Sequence, residues 1–335
     1  MIIYIAAGLL LVALDAGAQN TRRDSIRQRI QERAVMIDSL LAERNRRVNY
    51  DTAYIGRPHS RLTLKVRGNV SGSAFHVKGR RGAYEGGSDV STDNKATLSI
   101  GASYRGISAG LALNPGKLFG HYRDYELNVN AYGNRYGVDV AYQSSTTLSG
   151  NVTINGEDFF MPKGVMNMKM LTVNGYYAFS GRRFSYPAAF TQSYIQRRSA
   201  GSWLVGFSFL GGSLTAGEKK SERMPDYRIY VGHLGIGGGY GYNLVVGRGW
   251  LLHLSALPTL VISNRNNIKV DGQRRDMDTR FPDLILAERA AVVRNFGEKY
   301  FAGGTLVMTN SLLGDDDIDI NYRKWRARLF VGVRL

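Results

Sequence analysis

From residue 61 to the C-terminus, apolar and polar positions alternate along the chain. Between Arg61 and Ala74 one face reads Leu62, Leu64, Val66, Gly68, Val70, Gly72, Ala74, and the other Arg61, Thr63, Lys65, Arg67, Asn69, Ser71, Ser73. The last stretch repeats the pattern: Trp325, Ala327, Leu329, Val331, Val333 and Leu335 face one way, and Lys324, Arg326, Arg328, Phe330, Gly332 and Arg334 the other. A period of two is the period of a strand. Soluble sandwiches alternate as well, so length has to separate the two cases. Several runs reach about ten residues, which suits tilted membrane-spanning strands better than the five or six usual in soluble sheets.

Twelve such runs can be counted, near Arg61, Lys95, Ile107, Arg123, Arg135, Met168, Ser202, Tyr227, Gly249, Leu284, Tyr300 and Asn321. The number is even, as bacterial outer-membrane barrels require. Their connections alternate in length: Arg105-Gly106, Gly133-Asn134, Asn243 to Arg248 and Gly297-Glu298 are short, whereas Lys78 to Asn94, Ser144 to Asn167, Ala216 to Asp226 and Asn264 to Asp283 are long. Tight turns on one side and extended loops on the other predict a closed antiparallel transmembrane β-barrel of about twelve strands, an all-β fold. Gly181 to Gly201 breaks the alternation, being long where a short turn is due; either it folds back into the barrel or a strand is miscounted. Aromatic residues near strand ends (Tyr104, Tyr125, Tyr136, Tyr142, Tyr177, Trp203, Trp250, Trp325) fit interfacial girdles.

A different pattern precedes the strands. Met1 to Leu14 is nearly all apolar and leads to Ala16-Gly17-Ala18, a small-x-small cleavage site before Gln19. At about 1.5 Å per residue this run covers roughly 21 Å, short of a ~30 Å hydrocarbon core, so residues 1–18 read as a signal peptide. Thr21 to Asn49 contains neither Gly nor Pro and carries Ile26, Ile30, Ile37 and Leu41 on one helical face among Arg and Glu. This predicts a basic amphipathic helix in a segment 19–58, periplasmic or lumen-associated, before a barrel spanning 59–335.

Composition agrees with strands: 40 Gly, 20 Tyr and 13 Phe against 7 Pro and no Cys. Without cysteine there are no disulfides, thiolate metal sites or cysteine nucleophiles. A formal charge of +17 would suit a nucleic-acid binder, but the arginines are spread along the whole chain rather than gathered in a recognition motif, so no nucleic-acid partner is expected.

Longer motifs carry a family likeness. The runs Gly181-Arg182-Arg183-Phe184-Ser185-Tyr186-Pro187-Ala188-Ala189-Phe190, Gly235-Ile236-Gly237-Gly238-Gly239-Tyr240-Gly241-Tyr242-Asn243, Leu254-Ser255-Ala256-Leu257-Pro258-Thr259-Leu260 and Lys324-Trp325-Arg326-Ala327-Arg328 resemble, in that order, a Gram-negative family known as domain of unknown function 4421. The resemblance covers roughly Tyr50 to Leu335. It implies an outer-membrane barrel with no assigned activity and no site residues to transfer, and it includes the irregular Gly181 to Gly201 connection.

Chemical motifs are sparse. The Gly235 to Gly241 run fails as a dinucleotide-binding loop, because Tyr240 stands where the last glycine of GxGxxG is needed and the flanks read as strand. Of the five histidines, His59, His76, His121, His233 and His253, none sits in a GxSxG or HExxH motif. His253 shares a polar face with Ser255, which keeps a lipid-modifying hydrolase as an alternative to the expected absence of enzymatic activity. Asp315, Asp316, Asp317 and Asp319 could approach Ca²⁺ but lack the glycine and closing glutamate of an EF-hand loop, so they read as a solvated turn, and neither metal nor cofactor is expected.

Barrel closure would bring the first and last strands together. That predicts a basic lumen wall of Arg61, Lys65, Arg67, Lys324, Arg326, Arg328 and Arg334, with an acidic wall of Asp124, Glu126 and Asp139 about a third of the circumference away. Two outcomes follow: an open, anion-favouring pore or anion-binding barrel, or a lumen narrow enough for these side chains to fill it and pair across. The expected function is a small pore or solute-binding barrel, with a structural or surface-interaction protein as the alternative. Expected partners are outer-membrane lipid, lipopolysaccharide and the barrel-assembly machinery during insertion; the solute is not specified by the sequence.

Overall fold

The computed structural model describes residues 48–58, 60, 62–81, 84–104, 107–113, 124–154, 156–216, 227–270, 273–276, 283–314 and 318–335, together with Glu32, Met36 and Ser39. The expected signal peptide lies outside these residues. So does nearly all of the expected amphipathic helix, of which only Glu32, Met36 and Ser39 are described, with helical backbone; the helix as an element is not supported. The chain divides into compact units at Asn49/Tyr50.

In chain order the elements are β1 (Ile55–Gly56), β2 (Leu62–Arg81), β3 (Tyr84–Ser91), β4 (Lys95–Tyr104), β5 (Ile107–Leu113), β6 (Asp124–Tyr132), β7 (Tyr136–Ser145), β8 (Ser149–Ile154), β9 (Glu157–Met161) and β10 (Met166–Ala178). A short helix α1 (Tyr186–Phe190) and β11 (Ile195–Gln196) interrupt the series. Then come β12 (Ala200–Ala216), β13 (Tyr227–Val246), β14 (Trp250–Asn264), β15 (Asn267–Val270), β16 (Gln273–Asp276), β17 (Leu284–Phe296), β18 (Tyr300–Gly314) and β19 (Ile318–Arg334). Each alternating run read from the sequence falls on one of these strands.

The long strands pair antiparallel in the series β5, β4, β2, β19, β18, β17, β14, β13, β12, β10, β7, β6. First and last strands therefore meet, with Leu329 opposite Gly68 and Arg328 opposite Asn69. Three of the long connections hold β-structure of their own, since β3 pairs with β2 and β8, β8 with β9, and β15 with β13 and β16. At the opposite end the turns are tight, and Gly247, Gly249 and Gly297 adopt positive φ there, as β-turns demand.

The alternation has a physical consequence. On β14 and β17 every second residue is buried on the concave side, while the others face outward. Outward residues are apolar: Leu329 is 74% exposed, Leu254 69% and Ile100 65%, whereas Arg289 inside is 2% exposed. Water would oppose this inversion, because burying charge and exposing a continuous apolar surface both cost free energy. Aromatic rings join the outward face near the tight-turn end, where Trp203 meets Tyr240 edge-on at 5.3 Å and Tyr136 stands opposite Tyr177.

Candidate functional site

The concave interior is filled in layers. At the long-connection end, Phe75, Leu148, Met168, Leu210, Ile285 and Tyr322 form an apolar cluster. At the tight-turn end the connection that broke the sequence alternation turns back onto the sheet, its helix α1 packing against β6, β14 and β17. Ser185 caps the helix, accepting from the Ala188 N–H, and Pro187 lies in the first turn, where no backbone donor is needed. Phe184 and Tyr186 are fully buried. Room for Phe184 comes from Gly241 of β13, where a Cβ would lie 2.9 Å from its ring. The other inward glycines of the run serve the sheet itself, since a Cβ on Gly237 or Gly239 would run into the Pro258 or Ala256 carbonyl of β14.

The insert is fastened by polar contacts. Asn243 on β13 donates through Nδ2 to the Ser185 carbonyl at 3.0 Å and to Gln196 Oε1 at 2.9 Å. β1 pairs with β11, Asp51 N–H donates to the Arg182 carbonyl at 2.7 Å, and Tyr50 meets Tyr194 edge-on at 5.4 Å. Lys65 donates to the Thr191 carbonyl and, at 3.0 Å, to Gln192 Oε1. Arg334 donates to the Gln192 carbonyl at 3.1 Å and to Asn295 Oδ1 at 3.0 Å. Two members of the expected basic wall thus spend their charge on the carbonyls and amide of the insert.

Between the two apolar layers runs a polar belt. The acidic and basic side chains meet across the interior, the second of the two arrangements the sequence left open. Lys324 lies 3.0 Å from Glu126, and Lys95 lies 3.0 Å from Asp124. Glu126 also accepts from Ser71 at 2.8 Å and Asn128 at 2.7 Å. Asp139 accepts two bonds from Arg289, through Nε at 3.1 Å and Nη2 at 2.6 Å, and its other oxygen accepts from Asn130 and Tyr132. Arg289 was absent from the sequence expectation. It sits among alanines on a strand whose two faces both read as largely apolar, and only its position opposite Ser255 in the folded sheet marks it. Arg67, Arg326 and Arg328 face the same interior, and each keeps a buried Nε without a partner. Arg61 lies outside the described residues.

A second arrangement lies beside the insert. His253 Nδ1 is 2.7 Å from Asn243 Oδ1, and Nε2 is 3.0 Å from Ser255 Oγ. Because the Asn243 amide nitrogen is committed to two acceptors, its oxygen must accept from Nδ1–H. Nε2 is then the lone-pair nitrogen, and Ser255 donates to it. Such an order, nucleophile to base to orienting group, is that of acyl transfer. The other described histidines hold no such relation: His233 meets Asn266 at 2.9 Å, and His76 is 3.9 Å from Asp89 at the surface. His59, His121 and Asp315 to Asp317 fall outside the described residues, among which no cluster of metal-ligating side chains occurs.

Against known proteins, the family described as Domain of unknown function (DUF4421) matches residues 49–335. No curated protein matches the chain. Among solved structures, the outer membrane protease OmpT from Escherichia coli is 8% identical, with a TM-score of 0.42 over 87% of this chain and 100% of that one. The outer membrane protein OprG from Pseudomonas aeruginosa is 11% identical, with a TM-score of 0.27 over 84% and 98%. The toluene transporter TodX of P. putida is 7% identical, with a TM-score of 0.26 over 83% and 91%.

Proposed function

Because the chain belongs to the DUF4421 family, whose description assigns no activity, we propose its function from its own interior: a closed, twelve-stranded outer-membrane β-barrel whose interior is sealed and does not conduct. The outward apolar face supports the location, since lipid is the solvent that stabilises it. Joining β5 to β6 would complete the ring, and the even strand number would place both chain termini on the periplasmic side with the tight turns. The observation that carries the sealed reading is the filled interior. Between the apolar cluster at one end and α1 at the other, Arg289 closes on Asp139 and Lys324 on Glu126, pairs that link strands distant in sequence. Single-channel recording of the purified protein in planar bilayers tests it: silence is expected, and resolved steps would remove the sealed reading.

A second reading is favoured by one observation, the Ser255–His253–Asn243 relay. Ser255 also stands opposite Arg289 in the sheet, and Arg289 Nη1 has no hydrogen-bond partner. We infer that Ser255 could attack a carbonyl whose developing oxyanion Arg289 receives, His253 taking the proton and returning it to the leaving alcohol. A small alkyl fluorophosphonate should then phosphonylate Ser255, and His253→Gln should abolish the labelling. An unlabelled Ser255 in folded protein leaves the relay only its other task, holding the insert through Asn243.

A further inference from the structure

The buried charges of the polar belt do not balance. Its three carboxylates are engaged, Asp124 by Lys95, Glu126 by Lys324, and Asp139 by Arg289. Asp139 has no acceptor capacity left, since Asn130 and Tyr132 occupy its second oxygen. Lys65 and Arg334 are satisfied by the insert. Arg67, Arg326 and Arg328 remain, with no carboxylate within ion-pair distance among the described residues, and Arg326 is only 8% exposed.

These three are neighbours. Arg328 stands opposite Asn69 and Arg326 opposite Ser71 in the β19–β2 register, which puts Arg67 one diagonal step from Arg328 on the same concave face. Arg326 is buried and Arg67 and Arg328 are half-buried, and like charges drawn together away from water without a counter-charge are unfavourable. Each retains a buried Nε–H aimed at nothing. Asn69 and Ser99 lie close by, with Asn69 Nδ2 3.5 Å from Ser99 Oγ.

We propose that Arg67, Arg326 and Arg328 form a binding site for a small tetrahedral oxyanion, inorganic phosphate or sulfate. Guanidinium groups present paired N–H donors whose spacing matches two oxygens of such an ion, and a tetrahedral ion offers enough oxygens for three forks at once. Chloride offers charge but no spaced acceptors. The site would be retentive insofar as the sealed reading of the interior holds, because an ion enclosed between the apolar cluster and α1 leaves only when one of them opens.

The test uses the full chain, refolded into detergent from urea in the presence of phosphate, of sulfate, or of chloride alone at equal ionic strength. After gel filtration, one phosphate or one sulfate per chain should be retained, and the apparent melting temperature should exceed that of the chloride sample. The triple variant Arg67→Gln, Arg326→Gln, Arg328→Gln should retain none. In case that variant does not fold, Arg326→Lys with Arg328→Lys keeps the charge but loses the forks, and should bind phosphate at least tenfold more weakly by calorimetric titration. Wild-type protein that is folded yet binds neither oxyanion, by retention or by titration, overturns the site, as does equal binding in a folded variant. Titration without retention keeps the site and overturns only the sealed interior.

Discussion

Arg289 and Asp139 come from strands far apart in sequence and meet at the centre of the interior, where the arginine is 2% exposed and its guanidinium lies 5.8 Å from the Tyr186 ring centre. Removing one member leaves the other charged, buried and unpaired. Arg289→Leu should therefore cost about 3 to 5 kcal/mol, and adding Asp139→Leu should restore much of it; urea unfolding in detergent, with the double variant closing the cycle, checks this. A second comparison separates the two faces of β19. Leu329 points outward, and a cation there would stand in lipid at a cost of roughly 2 to 4 kcal/mol. Arg328 points inward and has no carboxylate partner to strand, so Arg328→Leu should cost far less than Leu329→Arg. The reverse order would show that the faces are inverted. Alternation alone made this contrast legible, because the partition of Leu329 from Arg328 is a property of period two. The pairing of Lys324 with Glu126 was not legible, since it depends on the interior diameter and on side chains reaching across it, neither of which leaves a periodic trace.

At the scale of elements, the insert between β10 and β12 was visible in the sequence only as a connection too long for its side. The room for it lay elsewhere, at the single glycine Gly241 of β13, on which Phe184 rests. Gly241→Leu should displace the insert without dissolving the sheet, giving new proteolytic cleavage between Gly181 and Gly201 while the protein stays heat-modifiable on gels. Alkali should loosen the same segment. Burial, and then the neighbouring Tyr194, raise the pKa of Tyr50 above its ordinary value, and burial raises that of Tyr186 against an opposing pull from Arg289. Both rings hold their protons longer docked than free. The stability they contribute is therefore present below about pH 10, the ordinary phenol value, and is lost as pH rises through the folded values. Proteolysis of the insert should rise above that pH, and Tyr50→Phe, which has no proton to lose, should shift the onset upward.

For the whole molecule, the sealed interior proposed above makes α1 one barrier among three. The expected runs and tight turns identified the strands because lipid outside and a packed interior impose opposite polarity on alternate residues all round the sheet. Whether the interior conducts depends on what fills it, and that had to be read from contacts. Replacing residues 184–196 by a short Gly/Ser turn would strip Lys65 and Arg334 of their carbonyl partners and uncover Phe301 and Phe330, which lie 6.1 Å apart beneath the insert. It would leave Arg289 on Asp139, Lys324 on Glu126, and the apolar cluster around Phe75 and Tyr322, whose rings are 4.6 Å apart. An ion crossing from the tight-turn end would still have to part charge-assisted hydrogen bonds in a low-dielectric interior and then pass an apolar constriction that resists wetting. The shortened protein should be less stable yet still silent in planar bilayers, whereas adding Asp139→Ala and Glu126→Ala should produce leak that favours anions, since the cations left behind lose their counter-charges. Conductance from loss of the insert alone would show that α1 is the only seal and that the belt between the apolar layers admits water and ions.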